Sequence, residues 1–124
     1  MTNPFKGELE VSLGNQKYKT KLTIDACIRI ESALNTSLVK LATKLTEGDL
    51  TISDIANIVT PAIRGGGNNL SHSEVTKIIF ENGMVEGLRV CGEILTNVLT
   101  GGAVTPDGDQ NEKKFQEDKE EKMI

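Results

Sequence analysis

Aromatic side chains are scarce in this sequence, with no tryptophan, one tyrosine and three phenylalanines among 124 residues. A chain so poor in π-faces offers no platform on which bases stack. Its formal net charge of −4, from 14 basic and 18 acidic residues, works against holding a phosphate backbone. No nucleic-acid partner is expected. Cysteine is nearly absent too: Cys27 and Cys91 alone make neither a disulfide framework nor a four-ligand metal site. The single histidine, His72, leaves little for general-base chemistry. These shortages together predict no metal, no cofactor and no catalytic constellation, and so a protein that is not an enzyme. No apolar run is long enough to span a bilayer, and no membrane partner is expected. The opening Met1–Gly7 lacks the apolar core of a signal peptide, which makes the cytoplasm the expected residence.

Aliphatic residues, in contrast, are plentiful. Residues 1–100 hold 29 Leu, Ile and Val, enough for a core in a small domain. The charge is uneven. Residues 101–124 carry seven acids and four lysines, and open on Gly101-Gly102. A segment with so little apolar surface cannot offset the entropy of ordering itself, so the expectation is a domain over 1–100 and a charged, disordered tail over 101–124. Two readings of the tail stand: a solubilising extension, or a segment that recognises a partner.

The domain opens with period two. Leu9, Val11 and Leu13 alternate with Glu8, Glu10 and Ser12, then Tyr18, Thr20 and Leu22 alternate with Lys17, Lys19 and Lys21. Gly14-Asn15 between them suits a tight hairpin turn. One face of the hairpin is apolar, and on the other an acidic strand meets a lysine strand. Its exposed edge is a place where another chain could pair.

After Thr23 the period becomes 3.6. A first stripe runs through Ala26, Cys27, Ile30, Ala33 and Leu34, and a second through Leu38, Leu41, Ala42 and Leu45. Asn35-Thr36-Ser37 separates the two, and Gly48 ends the second. Thr51 with Asp54 and Ser71 with Glu74 have capping-box spacing at the starts of two further helices. Pro61 inside the third stripe, Ile52, Ile55, Ala56, Val59 and Ile63, is expected to kink or loosen its last turn, and the short fourth helix carries Val75, Ile78 and Ile79. The last stripe runs through Met84, Leu88, Cys91, Leu95 and Val98. The predicted class is α+β: an N-terminal β-hairpin, four or five short helices, then the tail. Leu9, Val11, Tyr18, Ile30, Leu34, Leu41, Leu45, Ile55, Val59, Leu88 and Leu95 are the expected core.

Two features remain open to a functional reading. Arg64-Gly65-Gly66-Gly67 is either a flexible connector or a nest of backbone N–H groups for an anion, and Arg64 is a candidate cap for its own helix. Ile24 and Ile28 on the first helix, and Val90 and Ile94 on the last, fall off the core stripes. Either those helices are sandwiched between two packed faces, or these residues form a patch that binds another protein. The candidate partner-binding set is Ile24, Ile28, Val90, Ile94, Arg64, Gly65, Gly66 and Gly67. Both cysteines lie on apolar faces, as small buried thiols do.

The residues as a series resemble a known family. Asn3-Pro4-Phe5-Lys6-Gly7-Glu8 is similar to its opening, and Val11–Tyr18 to its hairpin. Leu22-Thr23 with Ile30-Glu31-Ser32-Ala33-Leu34 is similar to its next helix. Leu41-Ala42, Gly48-Asp49-Leu50 and Asp54-Ile55 continue the likeness. Ile63-Arg64-Gly65-Gly66-Gly67 followed by Leu70-Ser71 and Glu74-Val75 is its most specific piece. Over residues 3–100 the chain resembles the gene-transfer-agent family of small phage tail proteins, regarded as tail assembly chaperones. The resemblance implies a non-enzymatic protein in the bacterial host cytoplasm that coats a tape-measure protein and recruits tail-tube subunits, and it leaves room for self-association. The main rival is a structural tail-tube subunit that stays in the particle. Because tube subunits are generally β-rich and the forecast here is mostly helix, the chaperone is the first expectation and the structural subunit the alternative.

Overall fold

The alternation at the start of the chain makes two strands, β1 (Glu8–Leu13) and β2 (Gln16–Lys21), in a computed structural model that describes residues 8–102. They pair antiparallel with Leu9 opposite Thr20 and Val11 opposite Tyr18. Gly14 takes a φ of 68°, which glycine adopts without steric cost, and the turn closes in two residues. Val11, Leu13 and Thr20 are buried on the inner face. The Thr20 hydroxyl donates to the Leu9 carbonyl at 2.7 Å, which removes the cost of hiding it. On the outer face Glu8 lies opposite Lys21 and Glu10 opposite Lys19.

Five helices follow: α1 (Ile24–Leu34), α2 (Leu38–Thr46), α3 (Ile52–Gly65), α4 (His72–Asn82) and α5 (Met84–Asn97). Side-chain caps set the starts of the first four, and α5 begins after Gly83 without one. Thr23 and Ser37 each accept a backbone N–H of the helix they precede, and Thr51/Asp54 and Ser71/Glu74 both close as capping boxes. Asn35 ends α1 in the left-handed conformation, at φ 55°. From α1, Glu31 reaches across to accept the Leu38 N–H at 2.9 Å, so a carboxylate sits at the N-terminus of α2. A wide turn over Val98–Gly102 closes the described chain. Among the described residues the architecture is therefore a hairpin followed by five helices. The expected disorder of residues 103–124 lies outside the described residues.

Helix α3 is the centre of the molecule. Ile55, Ala56, Ile58, Val59, Ala62 and Ile63 are fully buried against β2, α1, α4 and α5. That burial explains the fate of Pro61. The helix is not interrupted there, and α3 runs through the proline to Gly65. Pro61 cannot donate to the Asn57 carbonyl, but neighbours packed on several sides support the helix. Of the expected core, Val11, Ile30, Leu41, Ile55, Val59 and Leu95 are buried, while Leu9, Tyr18, Leu34, Leu45 and Leu88 are half-buried at its margin.

Two candidate partner-binding residues are corrected here. Val90 and Ile94 are core, 0% and 2% exposed. Helix α5 is contacted by β1, α2, α3 and α4, so its buried arc is wider than the Met84–Val98 stripe and is rotated toward Val90 and Ile94. For α5, the sandwiched-helix reading holds.

Candidate interaction surface

The exposed apolar side chains fall in two main places. On α1, Ile24 and Ile28 lie one turn apart and are 42% and 55% exposed, while Cys27 and Ile30 face the core. At the corner between α4 and α5, Phe80 is 73% exposed and stands near Met84 and Val85 in sequence, both also exposed. This second group was missed by sequence reasoning, which followed Ile78 and Ile79. The signal was available: in a chain with three phenylalanines, one placed next to a buried isoleucine on a helix must point elsewhere. Val39 on α2 is a further exposed aliphatic.

The hairpin has two edges of unlike character. In a two-residue hairpin Leu13 and Gln16 exchange hydrogen bonds, so the backbone groups of Ser12, Glu10 and Glu8 on β1, and of Lys17, Lys19 and Lys21 on β2, point outward. The β2 edge is closed by the glycine loop. A Cβ on Gly65 would overlap the Lys21 carbonyl oxygen, and one on Gly66 would overlap that of Lys19. Asn68 then donates through Nδ2 to the carbonyls of Lys19, at 2.9 Å, and Ile63, at 3.1 Å. Both earlier readings of this loop are thereby corrected. Gly65 and Gly66 are glycines because backbone meets backbone there, a docking role in place of a flexible connector or an anion nest. Arg64 does not cap its own helix, because Nη1 donates to the Leu70 carbonyl at 2.9 Å and ties the loop shut. Gly67 is exposed with φ 101° and continues the turn.

The β1 edge is covered by one side chain among the described residues. Arg89 of α5 donates through Nη2 to the Ser12 carbonyl. Its guanidinium also pairs with Glu86 at 2.7 Å and Glu93 at 2.8 Å. The hydrogen bond from Arg89 holds the Glu86 carboxyl below its usual range. Beside this edge runs a groove of about 490 Å³ between Leu9 and the Arg89, Gly92, Glu93, Thr96 and Asn97 face of α5.

A second opening lies between α1 and α3, where Arg29, Asn57, Pro61 and His72 surround Thr60. The Thr60 hydroxyl is buried without a hydrogen-bond partner among the described residues. His72 itself is exposed at the start of α4. Burial pushes the Cys91 thiol up to about 12 and raises that of Cys27, where Glu31 adds to the shift, so neither is poised as a nucleophile. Among the described residues no cluster of three His, Cys, Asp or Glu side chains forms. No helix there is long and apolar enough to cross a membrane.

A family model described as phage tail tube protein, GTA-gp10, matches residues 6–101. The chain belongs to this family. The match takes in the hairpin, all five helices and both exposed apolar groups, and leaves residues 102–124 outside it. No curated protein matches the chain, and no solved structure does. The role of this GTA-gp10 family member is tail-associated, and its family is a structural one.

Proposed function

We propose that the protein is a structural subunit of a phage-type tail, retained in the tail tube of the finished particle. The observation that carries this reading is the match of residues 6–101 to a family described as a tail tube protein. The molecule has features suited to such a role. Its core is closed around α3, its reactive groups are buried or absent from clusters among the described residues, and most of its exposed apolar side chains lie on α1 or at the α4–α5 corner. A subunit in a repeating wall needs at least two contact regions, one for each neighbour. On this reading residues 1–100 are the assembling domain and 101–124 a charged extension. Assembly takes place in the bacterial host cytoplasm.

A second reading is favoured by one specific feature, the dominance of helix. Among the described residues, five helices and a single two-stranded sheet suit a chaperone that lays apolar helix faces such as Ile24–Ile28 on a helical tape-measure protein, recruits tube subunits and then leaves. Purified, finished tails separate the two readings. Quantitative mass spectrometry finding the chain at the copy number of a wall component supports the retained subunit. Its presence in producing cells and absence from finished tails overturns that reading in favour of the chaperone.

A further inference from the structure

We infer that the outer edge of β1 is a docking site for one extended segment of another protein, a strand with basic residues on one face and apolar residues on the other. The inference does not depend on which tail role is correct. It rests on the inequality of the two edges. At Lys19 and Lys21 the β2 edge is filled by Gly65, Gly66 and Asn68, while along β1 the outward N–H and C=O groups of Glu8 and Glu10 have no partner among the described residues. From Glu8 to Ser12 the edge offers about 13 Å of template at the usual rise per residue. Unpaired strand edges of this kind recruit strands, because main-chain hydrogen bonds supply affinity and alternating side chains supply specificity.

The surroundings select the occupant. Residues of an added strand that point outward would stand beside Glu8 and Glu10, so lysine or arginine is favoured there and acids are repelled. Residues that point inward would enter the groove between Leu9 and α5, whose accessible lining is mostly apolar. A second copy offers no such strand among the described residues. Its own β1 would bring glutamates against glutamates, and its β2 edge is closed by the glycine loop. Arg89 limits the site at one end by holding the Ser12 carbonyl.

The test uses the full-length protein, labelled with ¹⁵N, and two cyclised hairpin peptides. One presents alternating Lys and Val on its free strand, the other alternating Glu and Val. The Lys–Val peptide should bind and slow exchange of the Glu8 and Glu10 amides, and the Glu–Val peptide should bind at least about tenfold more weakly. Glu10→Pro removes an outward N–H that the β1–β2 ladder does not use. It should leave the thermal transition in place and weaken the Lys–Val peptide by about tenfold. Should that variant unfold, Glu10→Lys serves instead and should shift preference toward the Glu–Val peptide. Arg89→Ala should lengthen the free edge and tighten binding of the Lys–Val peptide. Equal binding of the two peptides, no binding of either, or changes confined to α1 or the α4–α5 corner would overturn the inference.

Discussion

Helices α1 and α5 carry the same anomaly in sequence and resolve it in opposite ways. Each has a pair of aliphatics four apart and off the expected stripe: Ile24 and Ile28 on α1, Val90 and Ile94 on α5. On α1 the pair is at the surface, and on α5 it is in the core. The difference is in the number of neighbours. Helix α1 rests chiefly on α3 with a lighter contact to α2, whereas α5 is held by β1, α2, α3 and α4. A helix with neighbours on one side has a narrow buried arc and leaves extra aliphatics in water. A surrounded helix hides them. Surplus apolar residues on a helix therefore do not by themselves locate a contact, because the tertiary fold decides whether they are covered inside the molecule.

Lysine substitutions test the comparison most severely. Ile94→Lys places a charge in the core and should unfold the protein or cost about 4 kcal/mol or more, read as a collapsed thermal transition. Next in size, Leu41→Ala should cost about 2–5 kcal/mol in chemical denaturation, since Leu41 is buried and leaves a cavity. Gly66→Ala drives a methyl into the Lys19 carbonyl and should cost about 1–3 kcal/mol. Arg64→Ala should cost less, because its bond to Leu70 is exposed. Smallest of all, Ile28→Lys should change stability by no more than about 0.5 kcal/mol, because its site is already in water. An Ile28→Lys loss as large as that of Ile94→Lys would erase the distinction between the two helices.

The thiols sharpen the comparison through pH. Burial raises Cys91 to about 12, above the 9.0 of an unhindered thiol, so its ionisation is disfavoured in the folded state. The associated stability is fully present below pH 9. It is lost as pH rises from there toward 12, because the unfolded chain ionises first. Unfolding measured over that range should show a steeper alkaline decline for the natural protein than for Cys91→Ala. Under native conditions near neutrality, a thiol reagent should leave Cys91 untouched and modify Cys27 slowly.

Much of the fold was legible because its signals are local. The switch from period two to 3.6 at Thr23, the capping boxes at Thr51 and Ser71, and the Gly14 turn each fix an element without help from distant residues. What sequence could not supply was the partner of each surface. The role of Gly65 and Gly66 depends on strand carbonyls more than 40 residues away, and Pro61 survives inside α3 because of what packs around it. The rotation of the buried arc on α5 is likewise a tertiary fact. The exposed apolar surface was half legible. Ile24 and Ile28 stand where helical geometry puts them, and the Phe80 corner was passed over because the neighbouring Ile78 and Ile79 satisfied the stripe.

Hydroxyl-radical footprinting of the free protein and of finished tails tests most directly that this is a retained tail component using its unburied aliphatic surface. The account predicts that the chain is present in tails, that Ile24 and Ile28 are labelled when free and shielded in the tail, and that Val90 and Ile94 resist labelling in both. Absence of the chain from tails, or equal labelling of Ile24 and Ile28 in the two states, would contradict it.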